Sequence, residues 1–125
     1  MKFANKLILA ALFLFFVSTA AAFPKFDYDG KADFGIYRYS ESNWYSYSTE
    51  SGMSTTTRWG TANDRIAPGD YDGDGITDFA IWRPADGFWY IRRSTNGQPL
   101  IIKWGTSTNF TPTGYVSDIP VPGDY

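Results

Sequence analysis

The chain has 125 residues, with no histidine, no cysteine and a formal charge of −2 from 11 basic and 13 acidic side chains. Without imidazole or thiol it lacks the usual neutral-pH base, the thiol nucleophile, disulfides and most zinc sites. A mildly acidic chain with no basic cluster is also a poor partner for nucleic acid or an anionic membrane surface.

The first segment reads as a secretory signal, residues 1–22. Lys2 and Lys6 precede an apolar stretch at 7–17, and Ala20 and Ala22 place cleavage before Phe23. Such a stretch is too short for a membrane anchor, which needs about 20 apolar residues. No membrane insertion is therefore expected after cleavage, and the mature chain carries a net charge of −4. The expected destination is secretion or the cell surface, with the periplasm also open. In a small exported domain without disulfides, a bound metal is the natural staple.

A shift of 45 residues superimposes the rest of the chain on itself. Asp33, Phe34, Ile36 and Arg38 fall on Asp78, Phe79, Ile81 and Arg83; Trp44-Tyr45 falls on Trp89-Tyr90, Gly52 on Gly97, and Trp59-Gly60-Thr61 on Trp104-Gly105-Thr106. A gapless period in the forties indicates a repeat array. The expected units are 23–69 and 70–123, with 124–125 opening a third. In the first unit, β-formers between turn residues predict strands at 34–39, 43–48 and 54–59, and a weaker one at 66–68. In the second they predict strands at 78–83, 88–93 and 100–104, and a proline-broken edge piece at 119–122. Residues 108–117 are an insertion, expected to form a surface loop. Four strands per unit is the count of a propeller blade, so the expected fold class is all-β: two four-stranded propeller-type blades. Trp44, Trp59, Trp82, Trp89 and Trp104, with Tyr37, Tyr45 and Tyr90, are candidate wedges between blades.

The turn before the second unit's first strand is Asp70-Tyr71-Asp72-Gly73-Asp74-Gly75-Ile76-Thr77-Asp78. Four carboxylates at positions 1, 3, 5 and 9, with glycine at 6, let a curled backbone surround one hard cation, and the Ile76 carbonyl can add a ligand. The alternative is a solvated acidic turn, but carboxylates this dense repel one another without a counterion. The loop departs from an EF-hand: position 12 is Ile81 rather than glutamate, and a strand follows instead of a helix. In the first unit Asp27, Asp29 and Asp33 occupy the same places, but Lys25 replaces the first aspartate, so a weaker site is expected there.

Pro68-Gly69-Asp70-Tyr71-Asp72-Gly73-Asp74-Gly75, Asp78-Phe79-Ala80-Ile81-Trp82-Arg83, Gly87-Phe88-Trp89-Tyr90-Ile91 and Lys103-Trp104-Gly105 resemble bacterial FG-GAP/VCBS-type repeats, relatives of the calcium-binding blades of integrin α-subunit propellers. The resemblance implies a Ca²⁺-stabilised propeller module in a secreted or surface protein, used for adhesion or for binding a glycan or protein. The Ca²⁺ ligands it implies are Asp70, Asp72, Asp74, Asp78 and the Ile76 carbonyl.

No enzyme is expected: the remaining acids, Asp64, Asp86, Asp118, Glu41 and Glu50, are scattered, and the hydroxyls lack a base partner. The leading reading is a non-catalytic binding or adhesion module, with contacts from Asn109-Phe110-Thr111-Pro112, Tyr115 and the Ser42-Asn43 turn. The alternative is a structural fragment or accessory module of a larger secreted propeller protein or hydrolase. Val121-Pro122-Gly123-Asp124-Tyr125 repeats Ala67-Pro68-Gly69-Asp70-Tyr71. It suggests a homo-oligomer by blade completion, in which Asp124-Tyr125 of one copy supplies the missing position 1 beside Asp27 and Asp29 of another.

Overall fold

The computed structural model describes residues 24–107, 109–111, 114–116 and 118–123. The expected signal segment and the opening of a third unit at 124–125 lie outside them. Strands β1 (Phe34–Arg38), β2 (Asn43–Tyr47) and β3 (Ser54–Arg58) form an antiparallel sheet in that order. Strands β4 (Arg65–Ile66), β5 (Phe79–Arg83), β6 (Phe88–Arg92) and β7 (Pro99–Lys103) form a second antiparallel sheet. A short hairpin, β8 (Asn109–Thr111) and β9 (Gly114–Val116), follows. No helix occurs among the described residues, so the fold is all-β.

The two sheets repeat each other in register. Tyr37 faces Trp44 as Trp82 faces Trp89, and Asn43 faces Arg58 as Phe88 faces Lys103. The first turns agree too: the Ser42 carbonyl accepts from Trp59 N–H at 3.0 Å and the Gly87 carbonyl from Trp104 N–H at 3.2 Å. Both turn residues are left-handed, φ 72° at Gly87 and 55° at Ser42. Glycine takes that conformation freely, whereas serine carries a steric penalty there.

Three expectations are corrected. Residues 65–66 do not complete the first sheet; they pair with β5, Arg65 opposite Trp82 and Ile66 opposite Ile81. Among the described residues the first sheet thus has three strands, and the fourth strand of the second sheet comes from the end of the preceding repeat. The insertion at 108–117 was expected as a loop, but carries the β8–β9 hairpin. Residues 119–122 are in no strand.

The core lies where one sheet covers the other. Alternation puts Trp44 and Ser46 on the buried face of β2. Trp44 meets the Phe79 ring at 5.2 Å, and Phe26 stacks on Phe79 at 5.5 Å. Trp59 reaches across to donate its indole N–H to the Tyr90 carbonyl at 3.0 Å. The close Tyr37–Trp44 pair, at 5.0 Å, adds bulk to the same face. Ile81 is fully buried here, its methyl group beside Gly60. On the far side of β5, Trp82 is almost fully buried and donates to the Trp104 carbonyl, which also accepts from Trp89. The expected wedge Trp104 is itself 75% exposed.

An ion pair fastens the junction. Asp64, 2% exposed, takes Arg83 through two bonds of 2.8 and 2.9 Å and also accepts from Thr61 N–H at 2.7 Å. Bonding to Asp64 raises the Arg83 pKa, and the guanidinium also lies over the Tyr90 ring at 4.2 Å. Arg38, the first-unit counterpart, bonds Glu41 and lies over Tyr45.

Candidate metal centre

Both acidic loops enter the first long strand of their sheet, and one aspartate anchors each in the same way. Asp78 is wholly buried; its Oδ2 accepts from Tyr71 N–H at 2.9 Å and its Oδ1 from Ser94 N–H at 2.7 Å. Asp33 does the same for Phe26 N–H at 2.7 Å and Thr49 N–H at 3.1 Å. Position 9 therefore ties the start of the loop to the far hairpin of the sheet. Backbone pairing repeats as well: Asp33 N–H donates to the Pro24 carbonyl and Asp78 N–H to the Gly69 carbonyl, each at 2.8 Å.

Above this anchor the loops gather carboxylates. Oxygens of Asp70, Asp72 and Asp78 lie within 4.8 Å of one another, as do those of Asp27, Asp29 and Asp33. Asp70 shapes its own loop, its Oδ1 accepting from Gly73 and Asp74 N–H and its Oδ2 from Gly75 N–H. Asp74 lies outside the triple. Its Oδ1 accepts from Ile76 N–H at 2.8 Å, and its Oδ2 from the hydroxyls of Ser94 at 2.7 Å and Tyr28 at 3.2 Å. Ile76, expected to offer its carbonyl, has a buried side chain. In the first loop Asp29 N–H donates to Asp27 and Lys31 N–H to Asp29. The backbone of Lys25, where the first carboxylate is missing, pairs with Thr77 of the second loop.

The electrostatics divide the carboxylates. Burial raises the Asp78 pKa, and the Asp72 charge adds to the rise, while the N–H groups of Ser94 and Tyr71 oppose it. Burial works the same way at Asp74, but the Ser94 hydroxyl, Ile76 N–H and Tyr28 hydroxyl outweigh it and lower its pKa. The Ser48 hydroxyl and Asp29 N–H lower that of Asp27. Burial lifts the Tyr71 phenol to about 12. Tyr71 donates to the Ala67 carbonyl at 2.8 Å and meets Trp89 edge-on.

A cation fits this donor set. Asp72 spends Oδ2 on the Thr95 hydroxyl, but its Oδ1 is shut off from solvent without a hydrogen-bond partner. An ionised oxygen in that state is costly unless something positive meets it. Hard carboxylate oxygens, with no nitrogen or sulfur donor, suit Ca²⁺ better than a transition metal. Ser94 and Thr95, which hold Asp72, Asp74 and Asp78, were not singled out from the sequence. Their signal is the 45-residue shift, which places Ser94 on Thr49. The expected contacts Asn109, Phe110, Thr111 and Tyr115 have backbone in β8 and β9, and Pro112 lies outside the described residues. Compared with known proteins, the chain matches no family, no curated protein and no solved structure.

Proposed function

We propose that this protein is an exported, non-catalytic calcium-binding module of FG-GAP/VCBS type. Its two sheets are successive propeller-type blades that present loops to a glycan or protein ligand. Ca²⁺ lies at Asp70, Asp72 and Asp78, with Asp74 and the Ile76 carbonyl in reach of the same loop, and more weakly at Asp27, Asp29 and Asp33. The observation that carries the reading is the solvent-excluded Asp72 Oδ1, without a hydrogen-bond partner, on a carboxylate that has an oxygen within 4.8 Å of one from Asp70 and one from Asp78. Ca²⁺ is favoured over Mg²⁺ because these ligands sit on an irregular loop, and Ca²⁺ tolerates irregular coordination where Mg²⁺ demands an octahedron.

Elemental analysis of the purified protein, with thermal melts in Ca²⁺, Mg²⁺ and EDTA, tests the metal. Bound calcium and a Tm lower in EDTA are expected. A metal-free protein whose Tm ignores EDTA overturns the reading. A glycan array probed with the calcium-loaded protein then tests the sugar-binding reading, which requires a signal above background. N-terminal sequencing of the exported chain should begin at Phe23.

A further inference from the structure

The junction between the two sheets has a donor side and an acceptor side, and the chain carries a second, exposed example of each. On the acceptor side of the internal junction stand Tyr37, Trp44 and the segment from Asp64 to Ala67. Into it fit Phe79, Ile81 and Arg83, with β4 running along β5. The matching residues of the first sheet are Phe34, Ile36 and Arg38. They lie open: Phe34 is 67% exposed and Ile36 63%, where Ile81 is fully buried. Phe34 and Ile36 stand opposite Tyr47 and Tyr45, extending one apolar face. The outer edge of β1, which corresponds to the β4-bearing edge of β5, carries no strand among the described residues.

The far side of the second sheet mirrors the acceptor. Trp82 and Trp89 stand where Tyr37 and Trp44 do. Asp118 Oδ2 accepts from Thr106 N–H at 2.6 Å, as Asp64 Oδ2 accepts from Thr61 N–H. Between this face and residues 118–123 lies a groove of about 520 Å³, lined by Tyr71, Trp82, Trp89, Trp104 and Val121 among others. Val121 is 69% exposed, whereas Ala67 at the matching place is fully buried.

We propose that copies of this chain associate head to tail, the donor face of one filling the acceptor groove of the next. Residues 119–121 add to β1 of the next copy as its fourth strand, as Arg65–Ile66 add to β5. The internal register puts Ile119 opposite Tyr37 and Pro120 opposite Ile36. Proline is tolerated at that place. Ala67 N–H donates to the Ala80 carbonyl at 2.9 Å, so the adjoining Ile66–Ile81 pair is one that exchanges no ladder bonds. Arg38 of the next copy turns from Glu41 to Asp118, as Arg83 meets Asp64. The occupant is a second copy because that copy holds the repeat equivalents of the residues that fill the internal acceptor. The contact is heterologous, so it propagates until a ring closes or a filament grows.

Sedimentation and light scattering of the full exported chain, over a concentration series with and without Ca²⁺, read the association. The wild type should exceed protomer mass as concentration rises. Ile36→Glu, which spoils only the donor face, and Trp104→Glu, which spoils only the acceptor, should each stay at protomer mass. Their equimolar mixture should give a dimer and nothing larger, because one good face of each kind remains. Phe34→Lys and Val121→Glu replace either variant that lacks a native circular dichroism spectrum. A wild type at protomer mass throughout, a single variant that assembles as the wild type does, or a mixture that stays at protomer mass overturns the proposal. Mass reads the association, whereas bound calcium and the Tm read the metal, so failure of one proposal is distinguishable from failure of the other.

Discussion

Asp72→Asn should change stability with opposite sign in chelator and in calcium. One of its oxygens lies within 4.8 Å of an oxygen of Asp70 and of one of Asp78. At that spacing two unit charges repel by about 3 kcal/mol at an effective dielectric constant of about 20. Solvent and salt at the half-exposed Asp72 reduce the total relief to about 1 kcal/mol. Asparagine keeps an acceptor for the Thr95 hydroxyl, so little is lost in exchange. In EDTA the variant should therefore melt higher than the wild type, by about 4–8 °C for a domain of this size. In calcium at about 100 times Kd the wild type gains about 2.7 kcal/mol. The variant forgoes most of that gain, so the order of the two melting temperatures reverses. Calorimetry or tryptophan fluorescence in the two buffers measures it directly. A variant that melts below the wild type in EDTA, or that keeps the full calcium increment, refutes the reasoning.

Acidity acts on the same anchor. In chelator, stability should rise as pH falls through the raised Asp78 pKa, because the folded state takes up a proton before the unfolded chain does. That gain is complete below the unfolded value near 3.8, where protonation of Asp74 and Asp86, whose pKa values are lowered in the fold, removes stability instead. Urea unfolding from pH 7 downward should thus pass through a maximum in EDTA but not in saturating Ca²⁺; a monotonic fall in EDTA contradicts it. Asp64→Ala strands the half-buried Arg83 and leaves Thr61 N–H without its acceptor, costing about 3–5 kcal/mol in urea unfolding, and a loss under about 1 kcal/mol would show the pair to be dispensable. Lys25→Asp restores the first carboxylate of the weaker loop, so calorimetric titration should pass from one tight Ca²⁺ site per chain to two. An unchanged isotherm would mean that the Asp27, Asp29 and Asp33 triple is not a site.

Much of the sheet structure is written in the repeat, because strand residues and turn residues recur at one spacing. β1 to β3 and β5 to β7 fall within a residue of where β-formers and glycines place them. The fourth strand was assigned to the wrong sheet because a short strand carries no sign of its partner in its own residues. Arg65–Ile66 could pair backwards or forwards, and burial of Ile81 against the first sheet decides the matter. Asp64 was passed over for a different reason. The fixed shift lands it on Asn109, because an insertion separates it from its true counterpart, Asp118. The later match of Val121-Pro122-Gly123 to Ala67-Pro68-Gly69 aligns the two, and the shared bonds to Thr61 and Thr106 show that they do the same work. The acidic triples were legible because their aspartates lie close together along the chain. Ser94 and Thr95 come from a distant hairpin that only the folded sheet brings near.

The two loops are not independent of the junction between the sheets. Lys25 and Thr77 exchange backbone and side-chain bonds across it, and the Tyr28 hydroxyl reaches Asp74 of the other loop. Phe26, held by Asp33, stacks on Phe79, the residue that follows Asp78. Anything that draws Asp70, Asp72 and Asp78 together therefore orders the contact surface against which the first sheet packs. A cation bound at one loop then stabilises both sheets and their shared core. Calcium should move a single cooperative melting transition of the whole chain, because the first sheet, with three strands among the described residues, has too little core to unfold as a separate unit.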